Sequence, residues 1–540
     1  MASETVGWIR AGVIRSPLLP AALLGLLAAF VFVWRLGERD LWAPNETRNA
    51  QVAREMVLSG HFGVPSLNGE AYPDQPPLHS WAMATTCLVL GGDSEVSARL
   101  PGAVAGAAVV FLFFFLGRKS LGSRAALLSG MVFATAVGAI AGARVATSDM
   151  LICLFHALAM LAFLRAREEA ASAAWYLLAA VGVAGGMLTC GAEGVLVPFA
   201  ALAAYSLWSR RATPRWAIGV SAAALLGAAG CFGVLFVAAH GTDVFPRMVA
   251  AQLRCFDRGD AGIAFQFLWV VPIATLPWIF FLPAAVAQFA RDPQARRGPA
   301  GYLLCWGGAA LAWAVLFGSR NYLGAIVALP PLAGIVGLFW HFCLAVDATE
   351  RLRWRVGLPF LAFVLALPIA GFVLYGQTRE AFPPFGGIAM GYGSVLIFLS
   401  SVLVIFIFWR QTFCRFASIG VSSLIAVGFA VVFVVPKINE VKSERAFYES
   451  VRARVPAASE LRTVCMPDAS HIYYSGRSRV PNIQNEEDLE RYLASKGEVF
   501  CIMDYDDYLN HRLNGLDSLN LIYKERAGRK TLAVVTNRGR

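Results

Sequence analysis

Residues 39–81 read RDLWAPNETRNAQVAREMVLSGHFGVPSLNGEAYPDQPPLHSW, a charged island punctuated by proline and glycine between strongly apolar flanks. It carries acids (Asp40, Glu46, Glu55, Glu70, Asp74), bases (Arg39, Arg48, Arg54), two histidines (His61, His79) and the aromatics Trp42, Tyr72 and Trp81. A connection of roughly forty residues is either functional or disordered. Ala50–Leu58 places Val52, Met56 and Val57 on one side of a helix and Arg54 and Glu55 on the other, which argues for order. The expectation is a helix along a membrane surface, inside an ordered loop over the mouth of a cavity.

The flanks decide the class. The chain has 540 residues, 57% of them hydrophobic and 15% charged, against roughly 25% charged in soluble domains. So little polar surface cannot cover a soluble fold, and a polytopic α-helical membrane protein is expected. Apolar runs fall at Ser16–Trp34, Ala98–Leu116, Arg124–Ala143, Asp149–Leu164, Ala174–Cys190, Gly194–Trp208, Trp216–His240, Phe265–Ala290, Ala300–Gly318, Tyr322–Val346, Val356–Gly376, Gly393–Trp409 and Phe416–Pro436. That gives about thirteen spans, where a crossing needs roughly 20 residues. Leu78–Leu90 is shorter and reads as an interfacial or half-inserted helix at the cavity mouth. The first run lacks an A-x-A cleavage site and reads as an uncleaved anchor.

Threading the spans alternately separates the loops by charge. One set carries Arg10 and Arg15, Arg118 and Lys119, Arg165 and Arg167, Arg210 and Arg211, Arg296 and Arg297, Arg351 and Arg353, and Arg410 and Arg415. Consistently basic short loops are cytoplasmic. The other set, with the 39–81 loop and the C-terminal tail, faces outside. The net charge of +11 is thereby assigned to topology and membrane lipids, and nucleic acid is excluded as a partner.

Ten cysteines occur without a CxxC pair, which argues against a zinc site or a disulfide scaffold. Cys465 and Cys501 lie in the tail and are expected as a buried thiol pair. In that tail, Leu461–Cys465, Val499–Met503 and Thr531–Val535 read as buried strands and Glu486–Ser495 and Asp506–Leu513 as helices, a small α/β domain. It has no nucleotide-binding loop, so a supporting or acceptor-contacting role is expected of it. No internal repeat is visible, which disfavours a transporter built from inverted halves with discontinuous helices.

Polar residues gather at the outer ends of the spans. Asn45, Glu46 and Arg48 follow Trp42, read as an interfacial anchor. Asp74 is held in Tyr72-Pro73-Asp74-Gln75-Pro76-Pro77 by prolines that restrict the backbone, and Asp149 opens the fourth span. Each could be a solvated boundary charge, but ionisable groups at a membrane boundary are candidate functional residues by default. Asn45-Glu46-Thr47 is also a glycosylation sequon. His61 and His79 read as loop and interface residues, His156 as a packed helix–helix contact. Arg254, Asp257, Arg258 and Asp260 form a charged outer loop that suits either a phosphate contact or a solvated turn.

Leu41–Arg48, Ala53–Met56, Ser59-Gly60, Tyr72–Pro77 and Trp81, continued by Ala98–Pro101, Asp149, Gly191–Pro198, Pro277-Trp278 and Leu329–Ala333, resemble the aminoarabinose-transferase (ArnT-like) and dolichyl-phosphate-mannose protein mannosyltransferase superfamily. The resemblance covers most of the membrane part. It implies a GT-C fold, with residues 1–436 as a transmembrane glycosyltransferase-like domain and residues 437–540 as a soluble outer α/β domain. It further implies transfer of a sugar from a polyprenyl-phosphate donor to a lipid A, glycan or protein acceptor at the outer face of the inner membrane, in some members with a divalent metal ion. Asn45 stands at the family's catalytic aspartate, Arg48 at its phosphate-contacting arginine, and Asp74 and Asp149 at acids of the cavity.

This chain departs from the pattern at several of those positions. An amide cannot serve as base, so Asn45 leaves that role open. Gln75 replaces a lysine for the lipid phosphate, Cys190 replaces the lysine of an AKGP-like turn, and Gly324 stands where a tyrosine is usual, with Tyr322 and Arg320 nearby. Two readings follow. In one, Glu46 or Asp149 acts as base and Arg48, Gln75, Arg144, Arg254, Arg320 or Tyr322 contacts the donor phosphate, with Tyr72, Asp74 and Glu193 lining the acceptor side. Asp74 and Asp149 are then the metal-ligand candidates. In the other, the protein binds a lipid-linked sugar without catalysis, as a scaffold or partner, and a lipid-sugar transporter stands behind both.

Overall fold

The structure is a computed structural model. It describes residues 18–63, 65–72, 74–168, 173–210, 246, 250, 261–317, 326–345, 350–408, 411–466, 469–513, 518–528 and 530–538. In chain order the helices are α1 (Leu18–Ala28), α2 (Asn45–Ser59), α3 (Leu78–Leu90), α4 (Glu95–Phe115), α5 (Ser123–Thr135), α6 (Val137–Ala143), α7 (Asp149–Glu168), α8 (Ala173–Cys190), α9 (Glu193–Ser209), α10 (Ala261–Thr275), α11 (Leu282–Arg291), α12 (Pro299–Phe317), α13 (Leu329–Ala345), α14 (Glu350–Ala381), α15 (Gly386–Phe408), α16 (Thr412–Phe429), α17 (Val435–Lys442) and α18 (Arg445–Arg454). Between α2 and α3 lies a two-stranded hairpin, β1 (Ser66–Leu67) and β2 (Glu70–Ala71). The tail then runs β3 (Leu461–Val464), α19 (Ser470–Ser475), β4 (Asn482–Ile483), α20 (Glu486–Leu493), β5 (Phe500–Asp504), α21 (Tyr505–Leu513), β6 (Asn520–Ala527) and β7 (Lys530–Thr536).

Among the described residues, eight helices are long and apolar enough to cross a membrane, or up to ten if each of two bent pairs is one span. Leu18–Val33 and Glu193–Ser209 are shorter apolar helices, and the expected span Trp216–His240 lies outside the described residues. The chain divides into two compact units, one of Met1–Leu36, Pro73–His79 and Arg99–Val434, the other of Gly37–Tyr72, Ser80–Ala98 and Val435–Arg540.

In the first unit, small residues let helix backbones approach. A Cβ on Gly186 of α8 would lie 2.9 Å from the carbonyl oxygen of Gly194 in α9, so only glycine fits that crossing. The two bent pairs meet each other. Ala136 adopts an extended backbone (ψ 130°) that breaks α5 from α6 with a 65° bend. Around Pro277, which has no N–H to continue a helix, the chain turns by 102° between residues 269–275 and 278–291. The freed groups find partners across the crossing. The Val137 amide donates to the Leu276 carbonyl (2.9 Å), the Trp278 indole to the Thr135 hydroxyl (3.0 Å), and the Ser423 hydroxyl to the Thr135 carbonyl (2.7 Å). Helices can break at membrane depth only where neighbours satisfy the backbone in this way. The sequence reading had no discontinuous helix; the difference arises because the breaks rest on these long-range bonds, not on a local composition change.

Two arginines close the end of the first helix. Arg144 donates to the carbonyls of Val31 (3.2 Å), Trp34 (2.8 Å) and Arg35 (3.3 Å), and the fully buried Arg99 donates to that of Leu36 (3.1 Å). These are the carbonyls a helix end leaves without intrahelical partners.

In the second unit the tail forms a five-stranded sheet ordered β4-β3-β5-β7-β6. Strands β4, β3 and β5 run parallel, and β7 and β6 join antiparallel. Phe500 and Ile502 of β5 point into a core with Phe447, Ile472 and Leu532, while Cys501 and Met503 point into another with Leu489, Leu493 and Val535. A strand buried on both faces reads as an unbroken apolar run, as VFCIM does. Strand β6 was not visible in the sequence because its polar residues (NLIYKERA) suit the exposed edge it occupies. The expected buried thiol pair does not form: Cys501 is buried, whereas Cys465 is exposed at a left-handed backbone position beyond β3.

Candidate active site

The candidate residues fall into two groups, one in each compact unit. In the second unit, α2 carries Asn45, Glu46 and Arg48 on its first turn. Glu46 is buried, and its carboxylate accepts from Arg39 Nη1 and Nη2 (3.0 Å for the latter) and from the Trp42 amide (3.0 Å). In return the Glu46 amide donates to the Trp42 carbonyl (3.2 Å). This reciprocal pairing caps the helix start, and a carboxylate there is favoured by the helix dipole.

Arg48 is arranged differently. Its Nη2 donates to the Asn45 amide oxygen at 2.6 Å, and its buried Nε has no hydrogen-bond partner. Among the described residues no carboxylate pairs with it, so its positive charge is not neutralised. A Glu55 carboxylate one helical stretch later organises the hairpin by accepting from the Ser66 hydroxyl (3.1 Å) and the amides of Asn68 (2.7 Å) and Gly69 (3.2 Å). Tyr72 follows β2, its amide bound to the Pro65 carbonyl (2.9 Å).

Trp42, expected as an interfacial anchor, also has partners from the tail. Its ring carries cation–π contacts with Arg39 (4.2 Å to the ring centroid) and Lys442 (4.8 Å), and its indole N–H donates to Asn439 Oδ1 (3.0 Å). These tail residues were invisible to sequence reasoning, since nothing local links residue 42 to residue 439.

In the first unit, Asp149 begins α7 and Glu193 begins α9. Asp149 is buried, and its Oδ2 has no hydrogen-bond partner. Glu193 lies close enough to Asp149 for their charges to interact and within reach of the Trp313 indole. Cys190, at the end of α8, donates its thiol to the Ser148 hydroxyl (3.6 Å). Both carboxylates therefore sit at helix N-termini, where backbone N–H groups favour negative charge. His156 is fully buried about two turns further along α7. Asp74 is exposed in a turn and Gln75 half-buried beside the buried Pro76 and Pro77. Arg254, Arg320 and Tyr322 lie outside the described residues.

Among the described residues no three His, Cys, Asp or Glu side chains converge as a metal site. Asp74 and Asp149 therefore belong to no such cluster.

Comparison with known proteins gives the same direction. Residues 74–235 match the family model of dolichyl-phosphate-mannose-protein mannosyltransferases. Among curated relatives, the undecaprenyl phosphate-alpha-4-amino-4-deoxy-L-arabinose arabinosyl transferase of Erwinia tasmaniensis is 26% identical over 294 residues, 53% of each chain. That of Shewanella sediminis is 27% identical over 372 residues, 66% of each. The chain thus spans about half to two thirds of the length of the curated relatives it matches. The crystal structure of ArnT from Cupriavidus metallidurans bound to undecaprenyl phosphate superimposes with a TM-score of 0.79 at 18% identity, covering 96% of this chain and 98% of that one. Its apo form gives 0.78. The multi-pass helical architecture with a small C-terminal sheet domain is therefore that of the ArnT-type GT-C fold, and the sequence is similar to members of that glycosyltransferase superfamily.

Proposed function

We propose that the protein transfers a sugar from a polyprenyl-phosphate carrier to a hydroxyl or phosphate of lipid A, another glycan or a protein, at the outer face of the inner membrane. The basic loops support a cytoplasmic N-terminus and an outer C-terminal domain. The observation that carries the reading is Arg48, a half-buried cation whose contact with Asn45 leaves its charge uncompensated. A departing lipid phosphate is the anion the relatives' names supply for such a group, and charge-assisted bonds to phosphate are the strong ones.

The proton has a separate destination. Asn45 cannot accept it, and Glu46 has both oxygens engaged by Arg39 and Trp42. Asp149 retains an oxygen without a partner and is the base in this reading. The acceptor O–H gives its proton to that carboxylate as its oxygen bonds to the anomeric carbon. The bond from that carbon to the phosphate oxygen breaks, and the electron pair leaves on the polyprenyl phosphate. Gln75, Arg254, Arg320 and Tyr322 remain proposed donor contacts, and Tyr72, Asp74 and Glu193 proposed acceptor-side groups.

The amide at Asn45 favours one second reading, a protein that binds the carrier lipid without transfer. Incubating the purified protein with labelled polyprenyl-phosphate sugars and membrane acceptors separates the two. Transfer by the parent, weakened in Arg48→Gln and partly kept in Arg48→Lys, supports the enzyme; carrier binding without transfer supports the second reading.

A further inference from the structure

The second compact unit joins the loop before α3 to the tail, although about four hundred residues of sequence separate them. Their contacts concentrate on the start of α2. Thr47 and Ser470 are both fully buried, and their hydroxyls meet at 3.1 Å, the Thr47 hydroxyl also reaching the Pro44 carbonyl (3.4 Å). Tyr474 makes a closed pair with one residue of the loop, its hydroxyl accepting from the Leu41 amide (2.8 Å) and donating to the Leu41 carbonyl (3.1 Å).

Asn439 uses both the oxygen and the nitrogen of its side-chain amide on the same stretch. Its oxygen takes the Asp40 amide (3.1 Å) and the Trp42 indole (3.0 Å), and its nitrogen donates to Asp40 Oδ2 (3.0 Å). Farther along, Arg54 donates to the Tyr473 carbonyl (2.8 Å), and Asn68 and Val480 exchange two hydrogen bonds (2.9 and 2.8 Å). The tail therefore grips the loop on both sides of Asn45 and Arg48, yet among the described residues no hydrogen bond or ion pair runs from the tail to those two side chains.

That pattern differs from generic docking. Apolar packing alone tolerates sliding and rotation, whereas a buried hydroxyl pair and two polar side chains that each donate and accept permit one register. Holding a reactive group within a fraction of an ångström is what such supporting contacts supply. We propose that Ser470, Tyr474 and Asn439 are positioning residues, through which the C-terminal domain fixes the rotation of the first turn of α2 and thereby the aim of Arg48. The inference rests on the transfer reading above for its kinetic consequence, but not for its structural one.

The test uses the full-length protein in lipid nanodiscs with Thr47→Val, Thr47→Ser and Tyr474→Phe. Thr47→Val keeps the shape and removes the hydroxyl; Thr47→Ser keeps the hydroxyl. Amide hydrogen exchange is read across residues 41–49, with β5 and β7 as an internal check that the domain remains folded. The expected result is exchange about tenfold faster at residues 41–49 in Thr47→Val and Tyr474→Phe and unchanged in β5 and β7. Transfer kcat falls about tenfold with KM within about twofold, and Thr47→Ser restores both. Unchanged exchange, or faster exchange with kcat intact, overturns the proposal. A parent that transfers no sugar defeats the transfer reading instead, and the exchange result then decides the positioning claim alone.

Discussion

Arg39 and Glu46 form a two-pronged ion pair beneath the stacked ring of Trp42, and this pair removes Glu46 from the set of available bases. Breaking a buried pair leaves an uncompensated charge, which costs roughly 3 kcal/mol. Glu46→Gln is therefore expected to lower the thermal midpoint of the loop-and-tail unit. The paired change Arg39→Met with Glu46→Leu removes both charges and is expected to recover much of that loss. Thermal unfolding of both variants in nanodiscs checks the sign and the order.

The hairpin between α2 and α3 turns at Asn68 and Gly69, with φ of 58° and 77°. Both signs match the tight turn that Asn-Gly favours. Gly69→Val forces a β-branched residue into that left-handed region at roughly 1–2 kcal/mol. Limited proteolysis across residues 62–72 is expected to accelerate about tenfold, while Gly92→Ala, which meets open space, leaves it unchanged.

Burial lowers the pKa of His471 from 6.5 to about 4, and its Nδ1 has no hydrogen-bond partner. The folded state therefore resists protonation that the unfolded chain accepts. Above about pH 6.5 both states are neutral and the group has no effect. As pH falls from 6.5 to about 4 the unfolded state takes up more protons, and stability drops by about 3 kcal/mol in all. His471→Gln is expected to flatten the acid limb of the stability–pH curve of the tail domain, measured by thermal midpoint between pH 7 and pH 4.

At the crossing of the bent helices, a Cβ on Gly138 would lie 2.5 Å from that of Ala274. Gly138→Leu overpacks this point and is expected to destabilise the membrane unit by roughly 1–3 kcal/mol. Thermal aggregation of the detergent-solubilised protein reads that loss, and Gly308→Leu, at an open position, is the control.

Apolar runs made the membrane helices legible because hydrocarbon demands long uninterrupted stretches whatever the tertiary packing. The breaks at Ala136 and Pro277 were not legible, since they depend on Leu276, Thr135 and Ser423 meeting across the fold. In the tail, LRTVC, VFCIM and TLAVV announced strands by being buried on both faces, while the polar edge strand β6 did not. The hairpin had a readable signal in Asn68-Gly69 that the charge-based reading of the loop passed over. For the site, the helix at Ala50–Leu58 was readable from its spacing, but its true start at Asn45 depends on the Glu46–Trp42 pairing. Sequence could name Glu46 as an acid and Arg144 as a base. It could not tell that Arg39 occupies the one and that helix-end carbonyls occupy the other.

The central claim is that Asp149 accepts the acceptor's proton while Asn45 does not. The most direct measurement is the rate of sugar transfer from a labelled polyprenyl-phosphate donor by the parent, Asp149→Asn and Asn45→Asp, with carrier-lipid binding measured on each. The account predicts transfer by the parent and a loss of roughly 10²–10⁴-fold in Asp149→Asn with carrier binding retained. Full activity in Asp149→Asn, or an inert parent that gains transfer only as Asn45→Asp, would contradict it.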